Sequence, residues 1–167
     1  MLKRLRTLVL GTRDTISGTV YGTIVVLAAL TAGGESYKHE PWRLDVIVAV
    51  TVVVLWLAHV YADGLGESLT LGRRLAVREF ASITRRELAI PLAAVLPVIL
   101  LTLGALGALA GPTAFWLALG VGVATLTAQG VRYARLERLN PLATGISVAV
   151  NLGLGLIIVA LEALISH

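Results

Sequence analysis

From Leu88 to Val131 the chain runs through 44 residues without a single Asp, Glu, Lys or Arg. A bilayer-spanning helix needs about 20 consecutive apolar residues, so this run is too long for one span. Gly111-Pro112 divides it, which predicts two helices, about 88–110 and 113–131. Pro91 falls in the first turn of the earlier one, where it is tolerated, and Pro97 lies deeper, where it is expected to kink the helix.

With that stretch fixed as membrane-spanning, the rest of the chain divides in the same way. Apolar runs over about 15–33, 44–65 and 142–164 add three more spans. The fold class is therefore all-α: a polytopic membrane protein with five transmembrane helices and an amphipathic cytoplasmic connector. Composition agrees, with 57% hydrophobic and 14% charged residues and a mean hydropathy of +0.87. Residues 1–14 read as an uncleaved, basic, amphipathic cytoplasmic end, and 15–167 as one transmembrane domain. Cysteine is absent and Met1 is the sole methionine, so thiolate and thioether ligands are excluded from the interior.

Lys and Arg placement orients the chain. Segment 1–14 holds four, connector 66–87 five and loop 132–138 three, whereas loop 34–43 holds only Lys38 and Arg43. The positive-inside bias then puts the N-terminus in the cytoplasm and, after five spans, the C-terminus outside. The formal charge of +4 belongs to these short segments, and no nucleic-acid-binding motif accompanies it. In the connector, Leu75, Ala76, Phe80 and Ile83 share one helical face and Arg74, Arg78 and Arg85 another. This pattern suits a helix lying on the inner leaflet, where a plain interfacial linker is the first reading and anionic lipids are the candidate partners of the three arginines.

The second span carries the candidate chemistry. His59, Asp63 and Glu67 are spaced four and four, so on a helix they fall on one face with a drift of about 40° per step. An ionisable group inside a membrane is costly and marks a functional site by default. A carboxylate one turn from an imidazole fixes its tautomer or stabilises its protonated form, which makes His59 with Asp63 the central pair. Gly64 and Gly66 are expected to end the helix near Glu67.

Other polar residues fall at the same inner depth: Asp14, Ser17 and Tyr21 on span one, Thr125 and Gln129 on span four, Thr144, Ser147 and Asn151 on span five. The outer half offers chiefly Thr51, Thr102 and Glu162. One reading is a polar cavity open to the cytoplasm; the other is that small polar residues hold helices together, which is the expectation for Ser17, Thr19, Thr125 and Thr144. Gly18 and Gly22 form a GxxxG pair that lets another helix approach closely. Trp42 reads as an interfacial anchor.

A His, Asp and Glu set without sulfur suits protons or a divalent metal, with His59 and Asp63 as ligands. One helix face cannot wrap a metal alone, so Asp14, Tyr21 and Asn151 are the candidates to complete an ion or proton path. No GxSxG, HExxH or P-loop is present, and no enzyme activity or cofactor beyond such a metal ion is expected.

The stretch Arg13-Asp14-Thr15-Ile16-Ser17-Gly18-Thr19-Val20-Tyr21-Gly22 resembles the opening of the first helix in the vacuolar iron transporter family. That resemblance implies five spans, a cytoplasmic N-terminus, a homodimer, and export of ferrous or manganese ions in exchange for protons. The family's metal-site Asp in this helix falls on Tyr21 here, its second-helix methionine has no counterpart, and its acidic cytoplasmic insertion is replaced by the basic connector 68–87. Kinship would thus mean that the metal path has been lost or has moved to His59 and Asp63. The sequence as a whole points to a small transporter moving a divalent metal, a proton or both through a cytoplasm-facing cavity, as a homodimer or within a larger complex. The alternative is a non-transporting subunit or scaffold that packs with partner membrane proteins.

Overall fold

The computed structural model describes residues 13–37 and 39–165, and in these it is entirely helical but for short turns. The elements are α1 (Arg13–Tyr37), α2 (Pro41–Leu71), α3 (Val77–Arg86), α4 (Ala89–Ala105), α5 (Gly111–Leu136) and α6 (Pro141–Ile165). Pro41, Pro112 and Pro141 sit in the opening residues of α2, α5 and α6. A proline there gives up an N–H that has no intrahelical acceptor anyway. α2 stops at Gly72, whose φ of 62° is left-handed and whose N–H reaches the Leu69 carbonyl at 3.3 Å.

Among the described residues, four helices are long and apolar enough to cross a bilayer, and a fifth span is reached if α3 and α4, bent by 42° where they meet, count as one. The chain is compatible with an integral multi-pass membrane protein. Its exposed surface supports this: α2 presents Val46, Val50, Val54 and Leu57 outward, and α6 presents Leu142, Ile146, Val150 and Ile157. A helix that is apolar all round belongs in a core or in lipid, and these outer faces have no core to enter.

The helices overrun the apolar windows read from the sequence. Loop 34–43 shrinks to residues 38–40, and α5 continues to Leu136, so Arg132 and Arg135 are helical rather than in a loop. Gly64 and Gly66 do not end α2; main-chain hydrogen bonding and packing of its neighbours carry the helix through them to Leu71. The third span is shorter than 88–110, closing at Ala105 before a turn in which Gly107 takes φ 76°. α4 runs unbroken through the buried Pro97, and the bend lies between α3 and α4. Of the connector, residues 66–71 belong to α2 and the amphipathic helix forms over Val77–Arg86, so Leu75 and Ala76 precede it.

α1 is the hub, touching α2, α4, α5 and α6. Val26, Leu27 and Leu30 of α1 are fully buried against Leu44 and Val48 of α2, Ile90 and Leu101 of α4, and Phe115 and Leu126 of α5. Small residues set these distances. A Cβ on Gly22 would lie 2.5 Å from the Ile90 carbonyl oxygen, and one on Gly18 2.9 Å from Ala89 Cβ. The GxxxG pair therefore seats α1 on the first turns of α4, as close-approach packing requires.

Candidate functional site

α2 buries Leu44, Val48, Val52, Val60 and Gly64, a stripe repeating at multiples of four. That stripe fixes the rotation of the helix and so the heading of the ladder beside it. His59, one position before Val60, is half-buried and meets α1: its ring centroid lies 4.5 Å from that of Tyr21, with the planes tilted 40°. Asp63, one position before Gly64, turns to α3 and accepts a hydrogen bond from Arg86 Nη2 at 2.9 Å. Arg86 Nε also donates to Glu87 Oε1 at 3.1 Å. These carboxylates, Glu87 first and Asp63 second, push the already high guanidinium pKa further up. Glu67 remains exposed one turn beyond Asp63.

The sequence places His59, Asp63 and Glu67 on one face, and the structure adds Tyr21 from a second helix and Arg86 from a third. The Asp14 side chain lies outside the described residues. Asn151 is placed elsewhere: its Nδ2 donates to the Ser147 carbonyl at 2.9 Å, while Ser147 Oγ donates to the Gly130 carbonyl at 3.1 Å across the α5–α6 contact. No group of three or more His, Asp and Glu converges as a metal cage among the described residues. His59 and Asp63 are potential ligands on adjacent turns, with Asp63 already bonded to Arg86 and the Tyr21 ring against His59.

Several polar residues of α1 and α5 are satisfied within their own helices. Thr19 bonds the Thr15 carbonyl at 2.7 Å, Thr23 the Thr19 carbonyl at 2.7 Å, and Thr125 the Val121 carbonyl at 2.8 Å. Gln129 is buried and its Oε1 accepts from Arg132 Nη1 at 3.0 Å. A cavity of about 210 Å³ between α1 and the end of α5 is lined by Ile16, Ser17, Tyr133, Leu136 and Glu137. The Gln129-x-x-Arg132 spacing is the sequence signal for that pair, hidden when Arg132 is assigned to a loop.

α3 is held against the end of α2 by polar and apolar contacts. Phe80 packs over Gly64, where a Cβ would come within 3.3 Å of the ring, and Arg86 meets Asp63. Arg73 pairs with Glu79 at 2.7 Å. Arg74, Arg78 and Arg85, the candidate lipid contacts, are all exposed. Arg74 borders a groove of about 230 Å³ with Tyr61, Leu65, Leu75 and Phe80.

At the other end of α2 lies a residue that sequence reasoning passed over. Asp45 is half-buried, and its Oδ2 is 2.8 Å from Thr102 Oγ1 on α4. Its signal is its position between Leu44 and Val46, inside the helix rather than before it. No family model, curated protein or solved structure matches this chain.

Proposed function

We propose that this protein is a small multi-pass membrane transporter that moves a cation, a divalent metal or a proton, through its cytoplasmic half by way of His59 and Asp63. The observation that carries this reading is the contact of His59 with Tyr21 one helical turn from Asp63, which joins titratable groups of two helices at one depth. An imidazole and a carboxylate on adjacent turns exchange protons with water or bind a hard-to-borderline divalent ion, and an intramembrane location makes either role costly unless used.

In this reading α1, α2, α4, α5 and α6 are the five spans, α3 lies on the inner leaflet, and both the N-terminus and the connector are cytoplasmic. The concentration of Lys and Arg in segments 1–14, 66–87 and 132–138 supports that orientation. The likeness of residues 13–22 to the vacuolar iron transporters is consistent with ferrous or manganese ion as cargo. The test is flux into proteoliposomes, followed with manganese and a metal-sensitive dye, and separately with a pH-sensitive dye. His59→Ala and Asp63→Asn should each abolish the flux; full transport by both variants would remove these residues from the mechanism.

A second reading, a non-transporting subunit, is favoured by one feature of α6. A Cβ added to Gly145 or Gly153 would have nothing within 4 Å, and Ala149 between them is exposed, leaving a small-residue stripe unfilled. Stoichiometric co-purification of a partner, with no flux by the protein alone, would select this reading.

A further inference from the structure

We propose that Asp45 is held as a neutral carboxylic acid, forming a proton-binding site with Thr102 near the start of α2. The inference rests on counting protons. Thr102 Oγ1 lies 2.8 Å from the Val98 carbonyl oxygen and 2.8 Å from Asp45 Oδ2. A threonine hydroxyl has one proton to donate and two lone pairs that accept. If Asp45 were ionised, both neighbours would be acceptors competing for that single proton. With the proton on Asp45, the contacts form a chain: Oδ2–H donates to Thr102 Oγ1, and Thr102 O–H donates to the Val98 carbonyl, the bond back to the preceding turn that helical threonines commonly make.

The second carboxyl oxygen points the same way. Asp45 Oδ1 is buried and has no hydrogen-bond partner among the described residues. Leaving a carbonyl-like oxygen of a neutral acid without a donor costs far less than leaving one oxygen of a carboxylate bare. Among the described side chains, no neighbouring cation rescues the ionised form. α4 and the first 21 residues of α5 contain no ionisable side chain. At this end α1 contributes Glu35 and Tyr37 to the sequence, neither of them a cation. On the approach to α2, Lys38 lies outside the described residues and His39 is exposed. Arg43 is bound to Glu40 at 2.8 Å and lies over the rings of Tyr37 and Trp42. Asp45 is also past the first turn of α2, where the favourable effect of the helix dipole on an anion has faded.

Asp45 is 14 residues from His59 along one unbroken helix, about 21 Å at 1.5 Å per residue. The two titratable sites thus stand well apart along α2, Asp45 near its start and His59 past its middle, and the proton on Asp45 does not depend on whether a cation crosses the protein. Infrared spectra of the reconstituted protein at pH 7 test the proposal directly. The wild type should show a protonated-carboxyl C=O band that is lost in Asp45→Asn. In Thr102→Val, which keeps the acid and removes its acceptor, the same band should move to higher frequency. If Asp45→Asn does not fold, the Thr102→Val shift alone decides. A wild-type spectrum in which neither substitution alters the protonated-carboxyl region would overturn the proposal.

Discussion

Arg86, the last residue of α3, reaches Asp63 on α2 with a 2.9 Å hydrogen bond across 23 residues of sequence, and so fastens the amphipathic helix to the C-terminal half of α2. The two side chains are 44% and 39% exposed, so solvent screens the pair. Exposed ion pairs contribute about 0–1 kcal/mol. Arg86→Gln and Asp63→Asn should therefore each lower stability by less than about 1 kcal/mol, measured by thermal unfolding in detergent. Loss of flux in Asp63→Asn without a matching loss of stability then reports on transport. A large drop in unfolding temperature would show that the pair is structural.

The seat of α1 on α4 predicts opposite outcomes for two glycines. A methyl on Gly22 would meet the backbone carbonyl of Ile90, which cannot swing aside as a side-chain tip can. Gly22→Ala should destabilise the protein by about 1–3 kcal/mol, the usual cost of overpacking. Gly66, in the interior of α2, has nothing within 4 Å of an added Cβ. Gly66→Ala should leave the fold intact and stabilise it by up to about 1 kcal/mol through helix propensity. Equal melting behaviour of the two variants would contradict the close approach.

α3 carries a pH-dependent cap. Glu79 accepts from Arg73 Nη2 and Nη1, at 2.7 and 3.0 Å, and from the Ala76 N–H at 2.7 Å, closing one side of a capping box. The Arg73 hydrogen bonds, and then the Ala76 N–H, lower its pKa from 4.5 to about 2. Because the folded value is depressed, the stabilisation is complete above the ordinary glutamate pKa and is lost as pH falls from there toward about 2. A carbon-13 titration of the Glu79 carboxyl should show ionisation persisting well below pH 4.5, and Arg73→Gln should restore an ordinary midpoint. An unchanged midpoint in Arg73→Gln would remove Arg73 as the cause.

What is legible in the sequence follows from patterns that depend on a single helix. The uncharged run to Val131 marks α4 and α5, the GxxxG pair marks a close contact, and the spacing of His59 and Asp63 gives their shared face. Partners across helices are not legible, because rotation about each axis is set by packing. Nothing local tells that Asp63 meets Arg86 rather than solvent, or that Tyr21 and not Asn151 reaches His59. Boundaries also hide chemistry: hydropathy marks the apolar core of a span, while hydrogen bonding carries the helix further. Arg132 falls in that margin, just past its apolar window, and Asp45 stands at the very edge of its own.

The Tyr21–His59 contact allows packing to be separated from ion handling. An aromatic pair is worth about 0.5–1.5 kcal/mol beyond the area it buries. His59→Phe keeps a ring against Tyr21 and should hold stability within about 1 kcal/mol of wild type, whereas His59→Ala should lose about that aromatic increment and more. Phenylalanine can neither carry a proton nor bind a metal ion. If His59 serves the ion, both variants should be inactive in the proteoliposome assay despite their different stabilities. Activity that follows stability, present in His59→Phe and absent in His59→Ala, would make the histidine a packing residue and shift the proposed path to Asp63.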